Sequence, residues 1–154
     1  MAARLEYAKL APEGMAKLTA LGHYLNTESG LEPVLLDLVR LLASLMNGCE
    51  YCIHLHTVEL KKLHEPEERI AGLADWRGAT AYTQRERAAF AWTEVVTNIQ
   101  DGHAPDEVYA QVRGHFTEVE TVNLTLTIAT INTWNRIAIA LGNYSGHAGG
   151  AVTE

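Results

Sequence analysis

The stretch from Val122 to Leu141 constrains this chain more than any other. It is the most apolar run in the sequence, yet Asn123, Asn132, Asn135 and Arg136 interrupt it. Such groups are costly in hydrocarbon, so the run reads as a buried element and not a membrane span. Its first half alternates, with Val122, Leu124, Leu126 and Ile128 separated by Asn123, Thr125 and Thr127. Taken alone, that period of two, rich in Val, Ile and Thr, describes a strand. Two observations weigh against it. Thr117-Glu118-Val119-Glu120 is a capping box just upstream. No second convincing strand exists for it to pair with, and a lone strand is not stable. The expectation is one long buried helix, about Glu118 to Leu141, in an all-α fold.

The rest of the chain agrees with that class. Pro12, Pro33, Pro66 and Pro105 suit first turns of helices, where a missing N–H costs nothing. One helix is expected from about Glu13 to Asn26 and a second from about Leu31 to Met46. The second carries Leu31, Leu35, Leu38, Leu42 and Leu45 at helical spacing, with Asp37, Arg40 and Ser44 on its other side. Asn47-Gly48 stops it, because both residues tolerate a left-handed cap. A third helix starts near Cys49 and ends near His64, ahead of Pro66. A short helix and a loop around Trp76 and Gly78 follow. The capping box Thr83-Gln84-Arg85-Glu86 opens a helix striped by Ala88, Trp92, Val95 and Ile99. Asp101-Gly102 is a turn, and Pro105 starts another short helix.

At 154 residues the chain suits one domain, expected over 1–144, with a flexible tail at 145–154. Its net charge of −7 leaves no basic footprint for nucleic acid and is repelled by an anionic membrane surface. Met1 to Tyr7 shows no apolar leader, so a cytoplasmic location is the default expectation.

The chain has two cysteines, and both fall in Asn47-Gly48-Cys49-Glu50-Tyr51-Cys52-Ile53-His54-Leu55-His56. Steps of three and four place Cys49, Cys52 and His56 on one helical face, and Glu59 continues it. At a helix start, free N–H groups and the macrodipole favour a thiolate. His56 stands one turn from Cys52, a base beside a nucleophile. Cys49 is placed to resolve a sulfenic acid formed on Cys52. The chemistry that fits is thiol oxidation by a peroxide, closure of a disulfide, and reduction by an outside dithiol.

Three other readings compete. Free cysteines also serve as small core hydrophobes. Cys49, Cys52 and His56, with His54 or His64, offer zinc ligands, but structural zinc usually draws on two separated pairs and the second is missing. A thioredoxin-like fold would need βαβ units, and the sequence offers none.

The run from Leu31 to about Tyr144 resembles the alkylhydroperoxidase AhpD-like branch of the carboxymuconolactone decarboxylase superfamily. The resemblance rests on Leu38-Val39-Arg40, on Asn47-Gly48-Cys49 through Tyr51-Cys52, and on His56 and Trp76. It continues in Arg85-Glu86-Arg87-Ala88-Ala89, Ala91-Trp92 and Ile131-Asn132-Thr133-Trp134-Asn135-Arg136. It implies a helical fold that oligomerises through apolar helices, commonly as trimers or hexamers. It implies hydroperoxide reduction with the second cysteine attacking, which assigns Cys52 as attacker and Cys49 as resolver. No cofactor or metal is implied, and the reductant would be an external dithiol of the lipoyl or thioredoxin type.

The family pattern places a glutamate twelve residues before the first cysteine, where this chain has Asp37. The resemblance implies that Asp37 orients His56, directly or through a water; its side chain is one methylene shorter than glutamate, which favours the bridging water. By itself Asp37 reads as a surface partner of Arg40. Glu59 is the other candidate to orient His56. Tyr51 stands where some members carry a further histidine. His54 points about 200° around the helix from His56 and is expected at the surface. His23, His64, His103, His115 and His147 are expected at helix ends or in loops, and Trp76, Trp92 and Trp134 as core or interface anchors. Beside hydroperoxide reduction stand a thiol–disulfide sensor or non-catalytic oligomer and lactone decarboxylation. The last needs no thiol pair.

Overall fold

Proline and threonine set the helix starts. Pro12 and Pro33 sit in the first turn of their helices, whereas Pro66 and Pro105 stand one residue earlier, at the cap. Thr83 and Thr117 each accept a hydrogen bond from the amide of a glutamate three residues on, and that glutamate reaches back to the threonine amide, so both capping boxes form. The computed structural model describes residues 3–142; the tail expected at 145–154 lies outside the described residues.

In chain order the helices are α1 (Tyr7–Leu10), α2 (Pro12–Thr27), α3 (Pro33–Asn47), α4 (Glu50–Lys62) and α5 (Glu67–Ala71). A 3-10 turn over Gly72–Asp75 leads to α6 (Gln84–Thr97), α7 (Asp106–Arg113) and α8 (Glu118–Leu141). Among the described residues there is no strand. The short α1 was not foreseen from the sequence. α4 ends at Lys62, two residues before the expected His64, because His64 takes a left-handed φ of 60° on the way to Pro66. α6 stops at Thr97, so Ile99 lies beyond it and is exposed, outside the expected stripe.

The alternating segment is helical throughout α8. A helix splits the alternation: Leu124 and Ile128 are fully buried, Leu126 is half-buried and Val122 faces out. The threonines, unfavourable in a helix when their hydroxyls compete with the backbone, are used within it instead. Thr121, Thr125, Thr127, Thr130 and Thr133 each donate to the carbonyl four residues back, at 2.6–3.0 Å.

α3 is the centre of the molecule and packs against α4, α6 and α8. Its leucine stripe is buried as expected, with Leu35, Leu38 and Leu42 at most 3% exposed. The side expected to be polar is covered too: Ser44 is fully buried and Asp37 is 9% exposed. This face meets α4 and α8, so its polar groups must find partners inside the protein.

Candidate active site

The redox pair is placed by the turn between α3 and α4. Gly48 adopts φ 68°, the left-handed conformation that glycine takes without cost. Its amide donates to the Leu45 carbonyl at 3.2 Å, and the Cys49 amide donates to the Ser44 carbonyl at 3.0 Å. These are the two bonds of a Schellman motif. They deliver Cys49 as the residue that caps α4, and its carbonyl accepts from Ile53 at 2.9 Å.

Cys49 and Cys52 are joined in a disulfide, with Cα atoms 5.3 Å apart, inside the usual range for a bridge. Both are buried, Cys49 fully and Cys52 to 3% exposure, in a small apolar cluster with Ala43, Ile131 and Ala138. Tyr51 and Trp134 pack against that cluster. No side chain caps α4, and the first-turn amides of any α-helix have no acceptor within the helix. Their positive ends lie at the sulfurs' end of the helix.

His56, one turn after Cys52, is 9% exposed. Its Nδ1 lies 3.0 Å from Asp37 Oδ1 across the α3–α4 interface. The contact is direct, which corrects the expectation of a bridging water: the packing of α3 on α4 brings the shorter side chain within hydrogen-bond distance of the ring. Arg40 donates to the same oxygen at 3.3 Å and to Asn26 Oδ1 at 2.7 Å. The surface pair Asp37–Arg40 read from the sequence therefore exists, but it is largely buried and shares its carboxylate with His56. Glu59 is not brought to the histidine; its carboxylate pairs with Lys62 at 2.7 Å. His54 is exposed, as are His23, His64, His103 and His115; His147 lies outside the described residues.

A polar network behind the disulfide was not assigned a role from the sequence. The Asn47 amide donates to Asn132 Oδ1 and Asn135 Oδ1, both at 2.9 Å. Asn135, fully buried, donates to the Ser44 hydroxyl at 3.1 Å. Asn132 donates to Thr97 Oγ1 and to the Ile128 carbonyl, and its own oxygen accepts from Arg136 at 2.8 Å. These bonds hold the Asn47–Cys49 turn against α8. The signal in the sequence was Asn132, Asn135 and Arg136, three and four positions apart in the most apolar run of the chain.

Trp76 and Trp92 are buried anchors whose indole N–H groups donate to Glu94 and Thr125, each at 2.9 Å, and Trp134 is half-buried.

Known proteins resemble this chain to different depths. The model of the carboxymuconolactone decarboxylase family matches residues 12–95, over half of the chain. The uncharacterized protein YdfG of Bacillus subtilis is 39% identical over 143 residues, spanning 93% of this chain and 97% of its own. A candidate antioxidant-defence protein AhpD from Agrobacterium tumefaciens superposes with a TM-score of 0.87 at 38% identity, covering 91% of this chain and 95% of that one. The debrominase Bmp8 shares the fold alone, with a TM-score of 0.73 at 17% identity over 84% of this chain and 69% of its own. A family model over more than half the chain and a 39% identical relative over nearly all of it place this protein in the carboxymuconolactone decarboxylase family, as an AhpD-like member.

Proposed function

We propose that the protein reduces hydroperoxides through Cys52 and Cys49. The observation that carries this reading is the disulfide at the start of α4, one turn from a histidine held by a buried carboxylate. In the reduced protein, His56 takes the Cys52 proton and Asp37 stabilises the imidazolium that results. The Cys52 thiolate attacks the distal peroxide oxygen, the O–O bond breaks, and an alcohol leaves with a proton. Cys52 is then a sulfenic acid. The Cys49 thiol attacks its sulfur, water leaves, and the disulfide closes. An external dithiol reduces the bridge by exchange and becomes a disulfide itself.

Cys52 is the better attacker on two grounds. It is one turn from His56, and it keeps the little exposure the pair has. Asp37 acts through His56 and is a positioning residue. The wider setting supports a redox enzyme: the fold is that of an AhpD-like antioxidant-defence protein, and a debrominase shares that fold. No described helix is long and apolar enough to cross a membrane. We also assign the outer face of α8, where Val119 and Val122 are 68% and 58% exposed, to contact between copies in a trimer or hexamer.

The test is turnover. Hydroperoxide consumption in the presence of a dithiol donor should be abolished by Cys52→Ser. A wild-type protein that is oxidised once and never turned over by any dithiol would instead be a sensor.

A further inference from the structure

The contact between Asp37 and His56 has a third member. Arg40 stands one turn after Asp37 on α3, and its side chain is nearly closed to solvent. Its Nη1 donates to Asp37 Oδ1 at 3.3 Å, the same oxygen that meets His56 Nδ1 at 3.0 Å. Its Nη2 donates to Asn26 Oδ1 at 2.7 Å. Asn26 lies in the last turn of α2, so a second helix holds the other side of the guanidinium.

Charge balance decides what this clamp does. A buried carboxylate needs a cation beside it. A guanidinium stays charged at any working pH, so Arg40 neutralises Asp37 without a proton on His56. The imidazole is left uncharged and free to take the Cys52 proton. Without Arg40 the carboxylate would draw a proton from solvent onto the ring, and Cys52 would face a standing imidazolium. The guanidinium and an imidazolium sharing one oxygen are at most about 6 Å apart and repel. Cys52 packs instead among Ala43, Ile131 and Ala138, so the ring is what meets the guanidinium on a common atom.

The other charged groups of the packed helices are engaged or exposed. On α4, Glu59 pairs with Lys62 and Lys61 with Glu67, while Glu50 and His54 are exposed. On α6 and α8, Glu86, Glu94 and Glu120 pair with Arg69, Arg77 and Arg85. The polar groups that α8 buries, such as Asn123, Thr127 and Asn135, are uncharged. Lys17 and His23 on α2 are exposed.

We propose that Arg40, clamped between Asp37 and Asn26, is a positioning residue that keeps His56 an uncharged base and so sets the pH at which Cys52 becomes reactive. The inference rests on the proposed relay of Cys52, His56 and Asp37, and on no particular oxidant.

Alkylation of the reduced protein by iodoacetamide across pH tests it without any peroxide, with the Cys52 adduct counted by peptide mass spectrometry. Arg40→Gln removes the charge and should shift the profile to lower pH by about 0.5–2 units. That is the effect of one charge at about 6 Å, between the screening of bulk water and that near a protein surface. Arg40→Lys keeps the charge and should lie nearer to wild type. Asn26→Ala changes an exposed residue, frees the guanidinium, and should shift the profile the same way by less. Lys17→Gln removes an exposed charge from α2 and should superimpose on wild type. A profile at or above the wild-type pH in Arg40→Gln, or in Asn26→Ala should Arg40→Gln not fold, would overturn the clamp. So would an equal shift in Lys17→Gln, because net charge would then be the cause. Asp37→Asn in the same series separates the clamp from the relay. If it moves to higher pH while Arg40→Gln stays at wild type, the relay stands and the clamp falls; if neither moves, both fall.

Discussion

Asp37→Asn removes one charge and almost no volume from the contact between α3 and α4. In the wild type, Asp37 Oδ1 lies 3.0 Å from His56 Nδ1, and both side chains are nearly closed to solvent, at 13% and 11% exposure. Hydrogen bonds to charged groups contribute about 1.5–3 kcal/mol, roughly twice the neutral kind. Arg40 already occupies the same oxygen at 3.3 Å and screens it, which favours the lower end of that range. The sign follows from where the proton goes. When Cys52 becomes a thiolate, His56 carries the charge, and the carboxylate stabilises that state; a neutral amide does not. At 1.36 kcal/mol per pH unit, the thiolate of the Asn variant should appear about one to two pH units higher than in wild type. The assay is the rate of iodoacetamide alkylation of reduced protein across pH. Asp37→Glu keeps the carboxylate, and its profile should lie closer to wild type than that of Asp37→Asn. Superimposable curves for wild type and Asp37→Asn would refute the reasoning and leave Asp37 as a structural partner of Arg40.

Three further outcomes follow from the same structure. Cys49→Ser should react once with hydroperoxide and accumulate Cys52 sulfenic acid, seen by mass spectrometry as one added oxygen; an adduct on Cys49 in Cys52→Ser would reverse the roles. Asn135→Ala leaves the Ser44 hydroxyl and an Asn47 N–H short of a partner, and should lower denaturant stability by roughly 2–3 kcal/mol; a loss below about 0.5 kcal/mol, as for an ordinary surface change, would contradict the network's role. Val122→Asp puts a charge on the outer face of α8 and should yield monomers by light scattering, against the trimer or hexamer proposed for the wild type; a monomeric wild type would remove that interface.

Much of the fold could be read from the chain because its start and stop signals are local. Thr83, Thr117 and Gly48 act through hydrogen bonds to residues at most five positions away, so spacing alone reveals them. The helical state of Val122 to Ile128 could not be read that way. Its alternation favours a strand, and what decides for helix is burial against α3 and α6, which spacing does not show. The cysteines and His56 share one helix, and their common face follows from the period. Asp37 was ambiguous because its two partners lie on different elements. Arg40 is three residues away and visible in sequence, whereas His56 is nineteen away and meets it only through the packing of α3 on α4. Glu59 shows the converse: the helical period put it on the right face, but a nearby Lys62 claims its carboxylate. The role of Asn47, Asn132 and Asn135 depends on contacts 85 and 88 positions apart, which no local pattern encodes.

The most direct measurement is a single-turnover titration. The protein is fully reduced, freed of reductant, and given one equivalent of an organic hydroperoxide. Free thiols, protein mass and released alcohol are then determined on the same sample. The account predicts that both thiols disappear together, that the protein mass falls by two hydrogens through an intrachain Cys49–Cys52 bridge, and that one equivalent of alcohol is formed. Two free thiols with the hydroperoxide unconsumed would contradict it.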